Sequence, residues 1–287
     1  MKNSLINCQT NAELKEKYNP EGSQLRQIQY RELDILIEFD RICRKHNIDY
    51  WLDSGTLIGA VRHGGFIPWD DDIDVCILKK DRKRLRKAMA ESLGNDFGYS
   101  EFGKENDYYK YSGLAKKVKR PVTRLYDKKA SITRIMNGNQ FVVSENLWLD
   151  IWEMAPGTIL AKKIIEKTYG KCIRRVWNYV NDGNLKHIVA IIAYPVMIPL
   201  KLIIEYWCKI FHSGTLVSYG NTFYSTRKVS EVFPLNEIEF EGKMFKAPNN
   251  VDSYLRRIYG NYMEIPSTDK IETHNIIEIK VDGMTIG

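Results

Sequence analysis

Apolar positions recur with a helical period from Ser23 to His46. Leu25, Ile28, Ile35, Leu36, Phe39, Ile42 and Cys43 share one face, interrupted by Glu32. Ile48 to Leu52 reads as a short strand. Asp53-Ser54-Gly55-Thr56 is a turn carrying a cap residue, and Leu57 to Arg62 is a short helix broken by His63-Gly64-Gly65. Pro68 keeps Ile67 out of helix. Ile73 to Leu78 alternates, with Ile73, Val75 and Ile77 on one face and Asp74 and Cys76 on the other. Asp81 to Leu93 is a basic helix closed by Gly94. Leu147 to Glu153 alternates again, placing Leu147, Leu149 and Ile151 opposite Trp148, Asp150 and Trp152. A β-like run from Ile238 to Phe245 and a helix from Val251 to Tyr259 complete the pattern.

Between these parts, residues 158–211 turn helical and apolar. Ile188 to Leu200 is thirteen residues without a charge. A spanning helix needs about 20 apolar residues, and Pro195 and Pro199 would disturb one. Two arrangements remain. The segment packs as a buried helix pair against the core. Alternatively it forms an apolar hairpin bent at the prolines, with Tyr206 and Trp207 at a membrane interface and Lys186, Lys201 and Lys209 facing anionic headgroups. The overall class expected is α/β (α+β), a mixed sheet core with flanking helices and a helical insertion. The expected divisions are a catalytic core at 24–157, the insertion at 158–220, and a C-terminal part at 221–287 that completes the core.

Composition narrows the class. The five cysteines among 287 residues are scattered and lack a C-x-x-C pair, against a disulfide framework or a cysteine-built zinc site and in favour of a reducing compartment. The net charge of +7 suits an anionic partner without choosing among phosphate-bearing substrate, membrane and nucleic acid. Seven of the nine residues from Lys79 to Lys87 are basic. No RNA-binding motif accompanies them, so no nucleic-acid partner is expected. Residues 1–20 contain neither an apolar stretch nor a cleavage site, so no secretory signal is expected.

The densest chemistry lies in Pro68-Trp69-Asp70-Asp71-Asp72-Ile73-Asp74. Four carboxylates within five positions repel one another unless cations or water offset them. The two-residue spacing of Asp72 and Asp74 puts both on one face at the start of a strand. That arrangement suits a hard divalent ion that also takes phosphate oxygens; an exposed acidic turn is the plain alternative. Ser54-Gly55-Thr56 follows a strand and opens a helix, where backbone N–H groups and hydroxyls can approach a phosphate. Asp150, mid-strand between Leu149 and Ile151, is a third candidate carboxylate.

Residues 50–75, YWLDSGTLIGAVRHGGFIPWDDDIDV, closely resemble the signature of the LicD family, whose wider group includes fukutin and fukutin-related protein. The lead-in FDRICRKHNIDYWL and the tail FEGKMFKAPNNVDSYLRRIYGNYMEIP, with His274 beyond it, are similar to the family's as well. The resemblance covers about 24–157 and 233–276. Two departures stand out. Ser54-Gly55-Thr56 replaces the usual Gly-Gly-Thr, and Ile151-Trp152-Glu153-Met154-Ala155 replaces a segment that tends to read I-F-P-L-D.

The resemblance implies a nucleotidyltransferase-like fold and a phosphotransferase that moves a phospho-alcohol such as phosphocholine. The donor is CDP-activated, and the acceptor is a sugar hydroxyl of a cell-surface glycan, free or lipid-linked. It implies that Asp72, Asp74 and Asp150 hold Mg²⁺ or Mn²⁺ and carry the catalysis, with Asp150 or Asp74 as general base. Ser54, Gly55 and Thr56 would bind donor phosphate, steadied by Arg62 and His63. Trp69 and Phe66 would pack a base or trimethylammonium group, or anchor the loop. The expected location is cytoplasmic, or peripheral at the inner face of the plasma membrane. Two other functions fit the same residues: a nucleotidyltransferase that attacks an α-phosphate and releases pyrophosphate, and a non-catalytic glycan- or nucleotide-binding protein.

Overall fold

The computed structural model describes residues 10–101, 123–136, 141–172, 175, 188–218, 224–267, 271 and 275–286. In chain order, helix α1 (Asn11–Tyr18) precedes the long helix α2 (Gln24–Lys45), which the Ser23 side chain caps by accepting from the Arg26 N–H. Strand β1 (Tyr50–Leu52), helix α3 (Ser54–His63), strand β2 (Ile73–Leu78) and helix α4 (Arg82–Ser92) follow. Next come β3 (Phe97–Ser100) and two long strands, β4 (Thr123–Met136) and β5 (Phe141–Pro156). Helix α5 (Ile159–Ile165) and helix α6 (Ile188–Phe211) form the insertion. The C-terminal part holds β6 (Thr215–Ser218), β7 (Arg227–Lys228), α7 (Val229–Val232), β8 (Asn236–Phe240), β9 (Lys243–Ala247), α8 (Val251–Tyr259), β10 (Asn275–Val281) and β11 (Met284–Ile286).

The main sheet is mixed, in the order β1-β2-β5-β4-β10-β11, with β3 added to β4 and β6 and β7 added beyond β5. The β2–β5 pair is parallel and its neighbours are antiparallel. The α/β class with a large mixed sheet and flanking helices holds. Elements from both ends of the sequence build this one sheet, because β10 pairs with β4 while β6 pairs with β5.

The apolar face of α2 lies over β4 and β5. Ile28, Ile35, Leu36, Phe39, Ile42 and Cys43 are fully buried there, with Leu57, Ile73, Val75 and Leu149 in the same core. Burying one such side chain contributes roughly 1.5–3 kcal/mol, so this face anchors the strands that carry the acidic residues. Glu32, the interruption in the pattern, is buried with the rest of the face. The basic run after β2 is largely committed to partners within the chain: Lys79 to Glu205, Arg82 to Glu153, Arg84 to Asp81, and Arg86 to Glu101.

Candidate active site

The site begins with strand register. In the parallel pair, Ile73 faces Leu149, Asp74 faces Asp150, and Val75 faces Ile151. The alternation read from both strands therefore meets in phase, apolar residues to the core and carboxylates to the opposite face. Asp72 precedes β2 by one residue and is half-buried. The convergence shows in the electrostatics. Burial, then Asp72, then Asp150 push the Asp74 carboxyl well above the ordinary carboxylate range. Asp70 is raised in the same direction by burial and by Asp72 and Asp71.

The turn before α3 clamps this strand. The Asp74 N–H donates to Thr56 Oγ1 at 2.9 Å, and the Asp74 carbonyl accepts from the Asp53 N–H at 3.0 Å. Ser54 sits at φ 50°, a left-handed conformation that costs a non-glycine residue about 1–2 kcal/mol. The glycine usual at this position in the resembling family takes that conformation without strain. A Cβ on Gly55 would stand 2.5 Å from Asp70 Oδ2, so the turn and the acidic loop touch here and a side chain at 55 would push the Asp70 carboxylate aside. Ser54, Gly55 and Thr56 thus lie beside the carboxylates, with the Thr56 hydroxyl engaged on the Asp74 backbone.

Arg62 and His63 end the same helix and bond residues from both ends of the chain, while Arg62 also acts on the Asp70 carboxyl. Arg62 Nη1 donates to the Tyr262 and Glu264 carbonyls, and its Nε donates to His63 Nε2 at 2.8 Å. His63 Nδ1 meets Asn11 Oδ1 at 2.6 Å. Burial, then Arg62, pushes the imidazole down to about 4, so it is neutral at physiological pH. These two residues brace α3 against α1 and the turn after α8. Phe66 is buried against Phe240, and Trp69 packs edge-on to Tyr18. Both serve as loop anchors. His274 lies outside the described residues.

Sequence reasoning missed two networks. One runs behind the carboxylates. Arg124 Nε donates to Asp150 Oδ1 at 2.7 Å and Nη1 reaches Glu145 at 3.1 Å; Arg134 joins Glu145 at 2.7 Å and Asp71 at 3.6 Å. Both guanidinium groups lie over the Trp148 ring. The second lies under the turn. Asp53 accepts from Tyr254 Oη at 2.6 Å and from Arg227 Nη2 at 3.4 Å, and Trp51 Nε1 donates to Tyr254 Oη at 3.1 Å. A charged pair inside apolar sequence signals the first only once β4 is known to neighbour β5. Nothing local signals the second, which joins residues 174 apart.

Two of the three carboxylates that could hold a cation already accept a hydrogen bond. Asp74 Oδ1 accepts from Trp152 Nε1 at 2.6 Å, and Asp150 Oδ1 is taken by Arg124. Among the described residues, no three His, Cys, Asp or Glu side chains are gathered tightly enough to hold an ion by themselves. The chemistry still fits a magnesium-type ion, which is held by one or two carboxylates and completed by substrate phosphates. Asp72 and Asp74 supply such a pair, and Asp72 is among the groups that raise the Asp74 carboxyl.

Comparison with known proteins agrees with this part of the chain. Residues 47–154 match the family model described as LicD/FKTN/FKRP, nucleotidyltransferase domain. The chain is 25% identical over 275 residues to lipopolysaccharide cholinephosphotransferase LicD of Haemophilus influenzae, covering 88% of this chain and 97% of that one. It is 40% identical over 67 residues to the ribitol 5-phosphate transferase FKRP of Homo sapiens and of Mus musculus, covering 22% of this chain and 14% of each relative. The matched span runs from just before the strand that leads into the Ser54-Gly55-Thr56 turn to near the end of the strand bearing Asp150, so the similarity to the LicD/FKTN/FKRP model lies over the part of the chain that builds the candidate site.

Proposed function

We propose that the protein is a metal-dependent phosphotransferase. It moves a phospho-alcohol of the phosphocholine kind from a CDP-activated donor to a sugar hydroxyl of a cell-surface glycan. The observation that carries this reading is the in-register pair Asp74 and Asp150 with Asp72 beside it, set against a glycine turn. A LicD relative named for cholinephosphate transfer to lipopolysaccharide, aligned over most of the chain, supports the class of group moved.

The residues divide the work. The N-terminal end of α3 offers N–H groups to donor phosphate, with Gly55 letting the Asp70 carboxylate lie against the turn. Arg124 fixes the Asp150 carboxylate, and Trp152 fixes that of Asp74. Asp74, raised by its neighbours, is the candidate general base for the acceptor hydroxyl, with Asp150 as the alternative. Mg²⁺ or Mn²⁺, held by Asp72 and Asp74 with Asp150 adjoining, would supply charge neutralisation at the phosphate oxygens. We place the reaction in the cytoplasm, on the reading that the donor is nucleotide-activated and drawn from there. A lipid-linked acceptor would place it at the inner face of the plasma membrane.

Incubation with a panel of CDP-alcohols and Mg²⁺, read as CMP release, tests the proposal. CMP from one donor, lost in Asp74→Asn, is the expected result. Pyrophosphate release from a nucleoside triphosphate would assign the chain to nucleotidyl transfer instead. Stoichiometric nucleotide binding without either product would mark a binding protein.

A further inference from the structure

Helix α6 packs with its polarity reversed. Its inward side carries Lys201 and Glu205, which bond each other at 3.0 Å, while Lys79 from the core adds to Glu205 at 2.7 Å. Tyr194 on the same side stacks on Tyr169, and Cys208 is fully buried. The opposite side is apolar and open. Val189, Ile192, Val196, Ile203, Tyr206 and Ile210 recur at intervals of three, four and seven residues, a single helical stripe. Ile192 is 72% exposed, Val196 62%, Ile203 66% and Tyr206 67%. Leu160 and Ile164 on α5 carry the exposed ridge onto the neighbouring helix.

A water-facing helix puts its charges outward. Here both glutamate–lysine partners point into the protein and the outward arc keeps Lys209 as its charge. Pro195 and Pro199 sit within one continuous helix, so the hairpin bent at the prolines is replaced by a pairing of α6 with α5. Burial of the segment as a helix pair is also excluded for Ile192, Val196 and Leu200, which are exposed; the Ile191 side chain lies outside the described set. Among the described residues, no helix is long and apolar enough to cross a membrane.

We propose that the outer face of α6, with Leu160 and Ile164 of α5, docks on the surface of an anionic lipid bilayer. Charge argues for this occupant. Residues 158–211 contain nine Lys and Arg against three Asp and Glu, a surplus of six within a chain whose total is seven. Exposed Lys163, Lys167, Lys171 and Lys209 flank the ridge. A second copy of the chain would bring the same positive surplus against itself. Tyr206 and Trp207, half or more exposed, suit the headgroup boundary. The inference rests on the helix. It joins the functional proposal at one point, because a lipid-linked acceptor would lie at the same surface.

Flotation of the full chain with phosphatidylcholine vesicles containing phosphatidylglycerol tests this, beside Ile192→Asp/Ile203→Asp. Binding at low salt should fall at least about tenfold in the double variant and fall with added salt. Its melting temperature should match the wild type. Quenching of Trp207 by brominated lipid, read as the difference between wild type and Trp207→Phe, reports the same contact without the charged substitutions. No flotation of the wild type at low salt overturns the proposal. So does equal flotation of the double variant, or a wild-type dimer that the two aspartates dissolve. CMP release from a CDP-alcohol in vesicle-free buffer is scored separately, so failure of docking and failure of the transferase reading remain distinct.

Discussion

Asp74 and Asp150 stand opposite each other in the parallel register of β2 and β5, each held by a different donor, Trp152 Nε1 and Arg124 Nε. Burial first, then Asp72, then Asp150 raise Asp74 above its ordinary value of 3.8. A carboxylate with a raised folded value binds its proton more tightly in the native state. Stability is therefore lost as pH rises from the ordinary value of 3.8 toward the raised folded value. Asp74→Asn is expected to keep or raise the melting temperature at pH 7 in metal-free buffer, and to lower turnover at least about 10²–10³-fold. Thermal melts beside CMP release measure both. A variant with near-wild-type turnover at saturating Mg²⁺ would remove Asp74 from the chemistry.

Much of this site was legible because strands announce themselves by period two. The alternations at Ile73 to Leu78 and Leu147 to Glu153 place Asp74 and Asp150 on polar faces, and the two-residue spacing adds Asp72. Period alone does not say which strands pair. The register that brings Asp74 to Asp150, and the Arg124 that grips Asp150 from β4, depend on long-range contacts. The partners of Arg62 and His63 are equally long-range: these residues end α3 and bond residues 11 and 262–264, while Arg62 also acts on the Asp70 carboxyl. The apolar insertion was legible as apolar. Its outward orientation was not, since that depends on what Lys201 and Glu205 bond.

Thr56 Oγ1 accepts the Asp74 N–H at 2.9 Å, a bond that uses a lone pair and not the O–H proton expected to meet phosphate. Thr56→Val keeps the shape and removes the acceptor, leaving a backbone donor unpaired at a cost of about 1–3 kcal/mol. Thr56→Ser keeps the bond. The expected order of melting temperature and of kcat is wild type, then Ser close behind, then Val well below. If Val matches Ser in both, the clamp on Asp74 carries no weight.

His63 supplies a pH signature. Its folded value of about 4 lies below the ordinary 6.5, so the unfolded chain takes up a proton between those two values and the native state does not. The stability this contributes is present above 6.5 and is lost as pH falls toward 4. His63→Gln removes the titration. Wild type is therefore expected to lose more melting temperature between pH 7 and pH 5 than His63→Gln does. Parallel curves would mean that the imidazole is not held neutral by its surroundings.

Asp53 ties the turn to the C-terminal part of the chain. Its carboxylate takes Tyr254 Oη from α8 and Arg227 from β7, while its N–H holds the Asp74 carbonyl. Both partners of the ion pair are almost wholly buried, and the pairing raises the Arg227 guanidinium further above its usual range. Removing one partner leaves the other charge in an apolar setting, which costs about 3–5 kcal/mol. Asp53→Asn should therefore lower the melting temperature by roughly 10 °C. Arg227→Met should cost a similar amount, since it strands the aspartate instead. Together the two substitutions remove both charges at once. The double variant should then be more stable than the sum of the single losses predicts, with a coupling of about 1–3 kcal/mol. Denaturant melts of the four proteins close this cycle. Additive losses would show that Asp53 is held by Tyr254 alone and that β7 contributes nothing to placing the turn.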